Sequence, residues 1–187
     1  MNSDEKLLFL KELLRCSYPL CLSEYDEQGV LLHTDSDHTL THELLVRSGC
    51  LNYALQNGCD TPLCLSTGLG LLWGAVSCQK EERRRLYILG PVLNVEIPQK
   101  TIRESLKRFA PSLPQDREFR ELLAGLPVVP LPLLLHYILM LVFTLTGVTM
   151  STSSIQYQTP DMGGKKTGNG VLKRDRHQTY MAEKLLL

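Results

Sequence analysis

Five short apolar segments with the pattern of β-strands constrain the fold of this chain more than any other feature. The segments fall into a block of two and a block of three, and a helical segment separates the blocks. They are Leu20–Tyr25, Val30–Thr34, Leu63–Thr67, Leu71–Cys78 and Arg85–Leu89. The links within each block are short, and short links join antiparallel strands because a parallel pair needs a crossover of about a dozen residues or more. The sequence therefore predicts a five-stranded antiparallel sheet.

Glycine, proline and charged residues mark the ends of these strands. Gly29 closes the turn of the first hairpin, and Gly68 and Gly70 flank a tight turn in the second block. The charged run 79–84 is typical of a solvated hairpin tip. We expect Pro91 to end the last strand or to place it at an edge, because proline cannot donate a hydrogen bond to the ladder.

Segments with helical periodicity surround the strands. They are 4–16, 40–57, 97–109 and 116–147. Gly49 is expected to divide the second segment, and prolines between Leu126 and Pro132 are expected to interrupt the fourth. The predicted fold class is therefore α/β (α+β), an antiparallel sheet with helices packed on it.

The apolar run Leu131–Leu145 is either a buried helix or a membrane anchor. It is shorter than the roughly 20 apolar residues of a membrane span, and it contains Pro132 and His136. We therefore expect a core helix, with a membrane anchor as the alternative. The side chains predicted to lie in the core are Leu133, Leu134, Ile138, Leu141, Val142 and Leu145.

Composition and cysteine spacing limit the class of protein. Of the 187 residues 43% are hydrophobic and 21% are charged, which excludes a mainly disordered chain. Because its net charge is zero, the chain lacks the positive electrostatic field of a stand-alone nucleic-acid-binding protein. The six cysteines form no CxxC pair, and the amino terminus is not a signal peptide, so we expect a cytoplasmic protein with reduced thiols and no zinc site.

The end of the chain predicts two further segments. Residues 149–172 are rich in serine, threonine and glycine without apolar periodicity, which predicts a polar linker. Residues 173–187 regain helical character and end in three leucines. An isolated helix has no partner against which these leucines can be buried. This helix either docks back on the domain, pairs with a copy of itself or leads into further sequence. We expect the third, with the sequence stopping between one domain, residues 1–148 with their linker, and a neighbouring domain.

The order of these elements resembles a group of bacterial transcription regulators. A hairpin, a helix and strands ending at Leu89-Gly90-Pro91-Val92 precede a helical bundle, a linker and the run from Tyr180 to Leu187. This is similar to the N-terminal PAS/GAF-like sensor domain of AraC-type regulators, in which a comparable final helix leads to a helix-turn-helix region. No helix-turn-helix pair is present here. The resemblance implies a homodimer that senses an unidentified small molecule and contacts DNA only through the missing domain.

Trp73 is the candidate centre of a ligand pocket. As the only tryptophan it lies in mid-strand, where Trp73, Ala75 and Ser77 share one face, and we expect Gly74 and Ala75 to leave room beside it. Further predicted ligand-binding residues on neighbouring strands are Tyr25, Cys64 and Tyr87. The alternative is that each of these side chains only packs the sheet or meets solvent at a strand end.

The sequence predicts neither catalysis nor a metal site, and it indicates no cofactor. His38 and His42 have the i, i+4 spacing of a helical metal site, but they lie on either side of the expected cap Thr41. There is no nucleophile-elbow pattern GxSxG, so we expect no enzyme. The alternatives are a sensor domain of a histidine kinase or cyclic-nucleotide enzyme, and a small thiol enzyme.

Overall fold

The computed structural model describes residues 3–35, 39–58, 61–98, 102–104, 106–107 and 117–160. The helices are α1 (Ser3–Ser17), α2 (Thr39–Arg47), α3 (Cys50–Asn57), α4 (Arg117–Gly125) and α5 (Leu131–Thr146), with a 3-10 turn at Thr152–Ser154. The strands are β1 (Leu22–Asp26), β2 (Leu31–Thr34), β3 (Leu63–Ser66), β4 (Leu71–Lys80), β5 (Arg83–Leu93) and β6 (Gln156–Gln158). The described part is therefore a mixed fold of helices and one sheet, as predicted. Of the expected helix at 97–109 the structure describes 97–98, which are not helical, and 102–104 and 106–107, which are helical; the other six positions lie outside the described residues.

The described sheet has the strand order β2-β1-β5-β4-β3-β6. The five predicted strands pair in antiparallel fashion, with β1 beside both β2 and β5, and β4 beside both β5 and β3. The sheet differs from the prediction at one edge, where β6 pairs in parallel with β3. The expectation of a purely antiparallel, five-stranded sheet is therefore corrected to a mixed sheet of six described strands.

Strand β6 comes from the segment that was predicted to be a polar linker. The amide of Gln156 donates to the carbonyl of Pro62 over 3.0 Å, and the Ser66 and Thr159 hydroxyls lie 2.6 Å apart. All four residues of β3 are buried. Because an uncovered apolar edge strand would offer unpaired backbone groups to other chains, pairing with β6 protects it. The rest of the predicted linker, from 161 on, and the predicted final helix lie outside the described residues.

Pro91 lies inside β5, not at its end as predicted. The β4–β5 register passes from the pair Leu72–Val92 to the pair Gly74–Leu89, so two residues of β5 face Trp73 alone. This is a bulge, and a residue in a bulge needs no ladder hydrogen bond. The missing amide hydrogen of proline is therefore tolerated within the strand, and the Gly90–Pro91 peptide bond is cis.

Helices cover both faces of the sheet, which gives two separate apolar clusters. On one face α2, α3, α4 and the turns at 102–104 and 106–107 pack over β1, β3, β4 and β5. On the other face α1 and α5 pack side by side over the same strands. Gly49 adopts a positive φ of 74° and separates α2 from α3, as the sequence predicts.

Helix α5 is the apolar run of the sequence, and it is buried as expected. Its side chains Leu134, Ile138, Leu141 and Val142 lie in the core, and those of Leu133 and Leu145 are half-buried at its margin. Across the described part of the chain, no helix has both the length and the hydropathy that a bilayer crossing requires.

Candidate functional site

The sheet divides the four predicted ligand-binding residues into two pairs. Trp73 and Tyr25 belong to the cluster under α2, α3 and α4. Cys64 and Tyr87 belong to the cluster under α1 and α5, on the opposite face. All four side chains are buried. The structure thus brings Trp73 and Tyr25 together and does not bring Cys64 or Tyr87 to the same pocket, because successive residues of a strand alternate between faces.

Trp73 and Tyr25 line a small space that we call the indole chamber. The chamber holds about 10 Å³, the room that one water molecule needs. It lies between the sheet and the start of α2. Its lining residues are Ser23, Tyr25, Thr41, His42, Leu45, Trp73, Ile88 and Gly90.

The indole N–H of Trp73 has no hydrogen-bond partner among the described residues. The side chain is fully buried, with 0% of its surface exposed. Its Cδ1 atom, which is bonded to Nε1, lies close enough to Gly90 that a Cβ built there would be 3.4 Å away, so this edge of the ring faces the chamber wall. A buried donor without an acceptor costs about 1–3 kcal/mol. An acceptor atom placed in the chamber within hydrogen-bond distance of Trp73 Nε1 would remove this cost.

Tyr25 and His42 form the second polar element of the chamber. The Tyr25 hydroxyl lies 3.1 Å from His42 Nδ1, and the two rings stack with centroids 5.7 Å apart. Burial raises the pKa of Tyr25 to about 12, so its hydroxyl stays protonated at neutral pH. The Ser23 side chain is a second hydrogen-bond partner of the Tyr25 hydroxyl, so this hydroxyl has partners within the protein on both sides.

A larger groove adjoins the chamber at one end of the sheet. We call it the end groove; it has a volume of about 800 Å³, within the range of small-molecule sites. Thr41 lines both spaces, and the consecutive residues Gly90 and Pro91 line the chamber and the groove respectively. The two spaces are therefore neighbours. The other groove residues include Arg15, Cys21, Asp35, Leu40, Glu118, Glu121 and Leu126.

Carboxylates outnumber cations in the end groove. Among its described lining residues are the carboxylates of Asp35, Glu118 and Glu121 and the guanidinium of Arg15. Asp35 is held by Lys11 at 3.1 Å, and Glu121 is paired with Arg117 at 2.7 Å. Together with Arg15 these two cations balance the three carboxylates, so the described groove residues create no net field that favours one sign of ligand charge.

The opposite face leaves no comparable room at the predicted positions. Gly74, which was expected to leave space for a ligand, faces α5, and a Cβ built there would lie 2.5 Å from Cγ1 of Ile138. The space is therefore taken by a helix side chain. Burial raises the pKa of the Cys64 thiol to about 12, which makes a reactive thiolate there unfavourable.

The residues that could have bound a metal or supplied a reactive thiol are His42 and the cysteines. His42 contacts Tyr25, whereas its predicted neighbour His38 lies outside the described residues, as does Cys59. Within the described ranges no group of three or more metal-ligating side chains is present. Burial raises the pKa of Cys50 to about 11, so this thiol is also protonated at neutral pH.

Sequence reasoning missed Ser23, Thr41 and Gly90 as chamber residues. Ser23 lies two positions before Tyr25, so period-two alternation was a signal that could have placed it on the same face. Thr41 was interpreted only as a helix cap, and Gly90 only as part of the segment before Pro91. No sequence pattern joins these positions, because the bulge in β5 and the docking of α2 create the chamber.

The chain was compared with protein families, curated proteins and solved structures. No family model, curated protein or solved structure matches it.

Proposed function

We propose that this chain is the ligand-sensing domain of a bacterial transcription regulator of the AraC type. The observation that carries the proposal is the end groove with the indole chamber beside it. The groove provides the volume for a small molecule, and the chamber provides a buried donor that lacks an acceptor. A concave site lined by apolar residues and a few convergent polar groups is the usual form of a small-molecule site.

The topology supports the PAS/GAF-like part of the proposal. The hairpin β1–β2, the inserted helices α2 and α3, and the meander β3–β4–β5 follow the order on which the resemblance rests. The meander returns to the hairpin through the β5–β1 pair, so one continuous sheet supports both strand blocks. The candidate site lies where α2 meets this sheet.

The ligand acts by favouring one of two arrangements of the domain. Groove residues come from α1, α2, α4 and β5, so a ligand that binds one spacing of these elements more tightly shifts the equilibrium toward it. Strand β6 is hydrogen-bonded to β3 and continues into the C-terminal segment. A change in the sheet is thereby passed to that segment and to the DNA-binding domain that would follow it.

An exposed apolar surface supports the homodimer that the resemblance implies. It is formed by the outward faces of α1 and α5, which pack side by side on the sheet, and we call it the α1–α5 face. Its exposed apolar side chains are Leu8, Phe9, Leu13, Met140 and Phe143. Glu12 and Arg15 on α1 pair at 3.4 Å, so two copies of this helix can face each other without a net like charge at that point. We assign this face to a second copy of the chain.

The chemistry of the cysteines does not support the thiol-enzyme alternative. Burial raises the pKa values of the Cys50 and Cys64 thiols. The Cys21 thiol contacts the hydroxyls of Ser23 and Thr34, and the Cys50 thiol contacts Ser48, so the partners of these two thiols are hydroxyl groups and not a base. A catalytic cysteine instead needs a lowered pKa and an adjacent base.

The test of ligand sensing is the native mass of the purified chain. We expect a small molecule to co-purify with it or, if the protein is isolated empty, a metabolite panel to contain a compound that raises the midpoint of thermal unfolding. Trp73→Phe and Tyr25→Phe are expected to weaken binding of that compound while leaving the protein folded.

Tyr87→Phe is the matched control. Tyr87 is as deeply buried as Tyr25 but lies on the opposite face, so its substitution should leave binding unchanged. Equal affinity in all three variants would place the ligand away from the chamber. A chain that carries no ligand and responds to no compound in the panel would contradict the sensing proposal itself.

A further inference from the structure

We propose that the indole chamber is a site for one buried water molecule, which accepts a hydrogen bond from the indole N–H of Trp73 and donates one to the hydroxyl oxygen of Thr41. The water thereby joins strand β4 to the start of helix α2. This inference does not rest on the proposed sensing function. It follows from a donor without a partner, from the volume of the chamber and from the polar groups that line it.

The donor is the indole N–H of Trp73. Its nitrogen is buried and has no hydrogen-bond partner among the described residues. Most buried polar side-chain atoms in proteins are paired with a protein atom or with an ordered water, because an unpaired donor loses its bonds to solvent and gains none in return. Indole nitrogen can only donate. The group that satisfies Trp73 therefore brings an acceptor atom into the space that this side chain lines.

The volume and the lining of the chamber suit one water molecule. The chamber holds about 10 Å³, at the lower limit of the space that a single water needs. Apolar cavities stay dry, whereas polar ones hold water that makes two to four hydrogen bonds. The chamber is polar, because the hydroxyl-bearing residues Ser23, Tyr25 and Thr41 line it together with Trp73.

Thr41 is the acceptor for this water because the other two hydroxyls are engaged with protein groups. The Ser23 hydroxyl lies 2.8 Å from that of Thr34 and is also a partner of Tyr25. The Tyr25 hydroxyl lies 3.1 Å from Nδ1 of His42. The Thr41 oxygen has two lone pairs, so it can accept from the water beside a further partner.

The water supports one wall of the end groove. Thr41 lines both the chamber and the groove, and it belongs to the first turn of α2. A water bonded to both Trp73 and Thr41 holds this turn at a fixed distance from β4. Bridging waters of this kind are enthalpically almost as good as direct hydrogen bonds. The water is thus part of the packing between the sheet and α2.

The direct test is a crystal structure of the chain at a resolution that shows ordered water. We expect one water about 3 Å from both Trp73 Nε1 and Thr41 Oγ1. Thr41→Val keeps the shape of the side chain without its hydroxyl, so we expect this variant to lose the water. A chamber without water density, or an indole nitrogen that donates directly to a protein atom, would overturn the site. A water that persists unchanged in Thr41→Val would overturn the bridge to α2.

A double-mutant cycle tests the same bridge in solution, by urea unfolding followed with circular dichroism. We expect Thr41→Val to lower the equilibrium constant for folding, and to do so about two- to tenfold less in a Trp73→Phe background, where no indole N–H needs an acceptor. Tyr87→Phe is the matched control background. Tyr87 is as deeply buried but lies across the sheet, so Thr41→Val should act there as it does in the parent. Equal effects in the parent and in Trp73→Phe would contradict the water-mediated contact.

Discussion

The contact between Gly74 and Ile138 gives a prediction whose size follows from the structure. A methyl group added at Gly74 would lie 2.5 Å from Cγ1 and 3.0 Å from Cδ1 of Ile138, and 3.5 Å from Cβ of Leu89. Real side chains do not approach to 2.5 Å, so α5 must shift or Ile138 must leave its preferred rotamer. Gly74→Ala therefore tests whether the glycine is present to admit α5 or to leave room for a ligand.

The expected loss of stability for Gly74→Ala is about 1–3 kcal/mol, the usual effect of adding a methyl group to a packed core. For a chain of this size that lowers the thermal midpoint by about 2–4 °C for each kcal/mol. Ile138→Ala alone should cost about 2–5 kcal/mol, because Ile138 is fully buried. In the double variant the two effects partly offset each other, because the new methyl group enters part of the space left by the three carbon atoms that isoleucine loses.

The assay is urea unfolding followed by the fluorescence of Trp73, with Gly125→Ala as the matched control. Gly125 ends α4, and a Cβ built there meets nothing within 4 Å. The same added methyl group should leave stability unchanged or raise it by up to about 1 kcal/mol. A Gly74→Ala protein as stable as the parent would refute the packing argument. Strict additivity of Gly74→Ala and Ile138→Ala, within about 0.5 kcal/mol, would refute the proposed contact.

Three further predictions concern thiols, pH and assembly. Alkylation of the native protein should modify the exposed thiol of Cys16 and spare that of Cys64, because burial raises the pKa of Cys64 to about 12. Mass spectrometry of the labelled chain checks this, and equal labelling of the two residues would contradict it. The folded-state pKa of Tyr25 is raised from 10.0 to about 12, so stability should fall as pH rises through this interval, and urea titrations should show a smaller fall in Tyr25→Phe. Light scattering should find a dimer that Phe9→Asp combined with Phe143→Asp converts to a monomer, since both rings lie exposed on the α1–α5 face; a monomeric parent would remove that interface.

Local patterns predicted most of the elements. The break at Gly49, the turn at Gly70 and the end of α5 at Gly147 each depend on a backbone conformation with positive φ that glycine adopts readily. The faces of β4 were also predictable, because alternation along an extended strand places Trp73 and Ala75 together whatever their partners are.

Register and edge pairing were not predictable in the same way. From the sequence, Pro91 indicated the end of a strand. The sequence does not reveal that the β4–β5 register shifts opposite Trp73, so that the proline needs no hydrogen bond to the neighbouring strand. The three residues of β6 carry no apolar pattern of their own. They form a strand because β3 has an open edge, a condition that exists only after the sheet has formed.

The sequence by itself determined that Trp73 and Tyr25 lie in strands, that helices cover the sheet, and that the apolar run of α5 forms a helix with one face in the core. Only the tertiary structure decided which candidate residues meet. Tyr87 and Cys64 lie across the sheet from Trp73, and Ile138 fills the space beside Gly74. The physical reason is that periodicity fixes which way a side chain points relative to its own strand, whereas a pocket depends on the distances between elements far apart in sequence. Those distances are set by strand register, by the bulge at Gly90–Pro91 and by the docking of α2, which brings His42 to Tyr25.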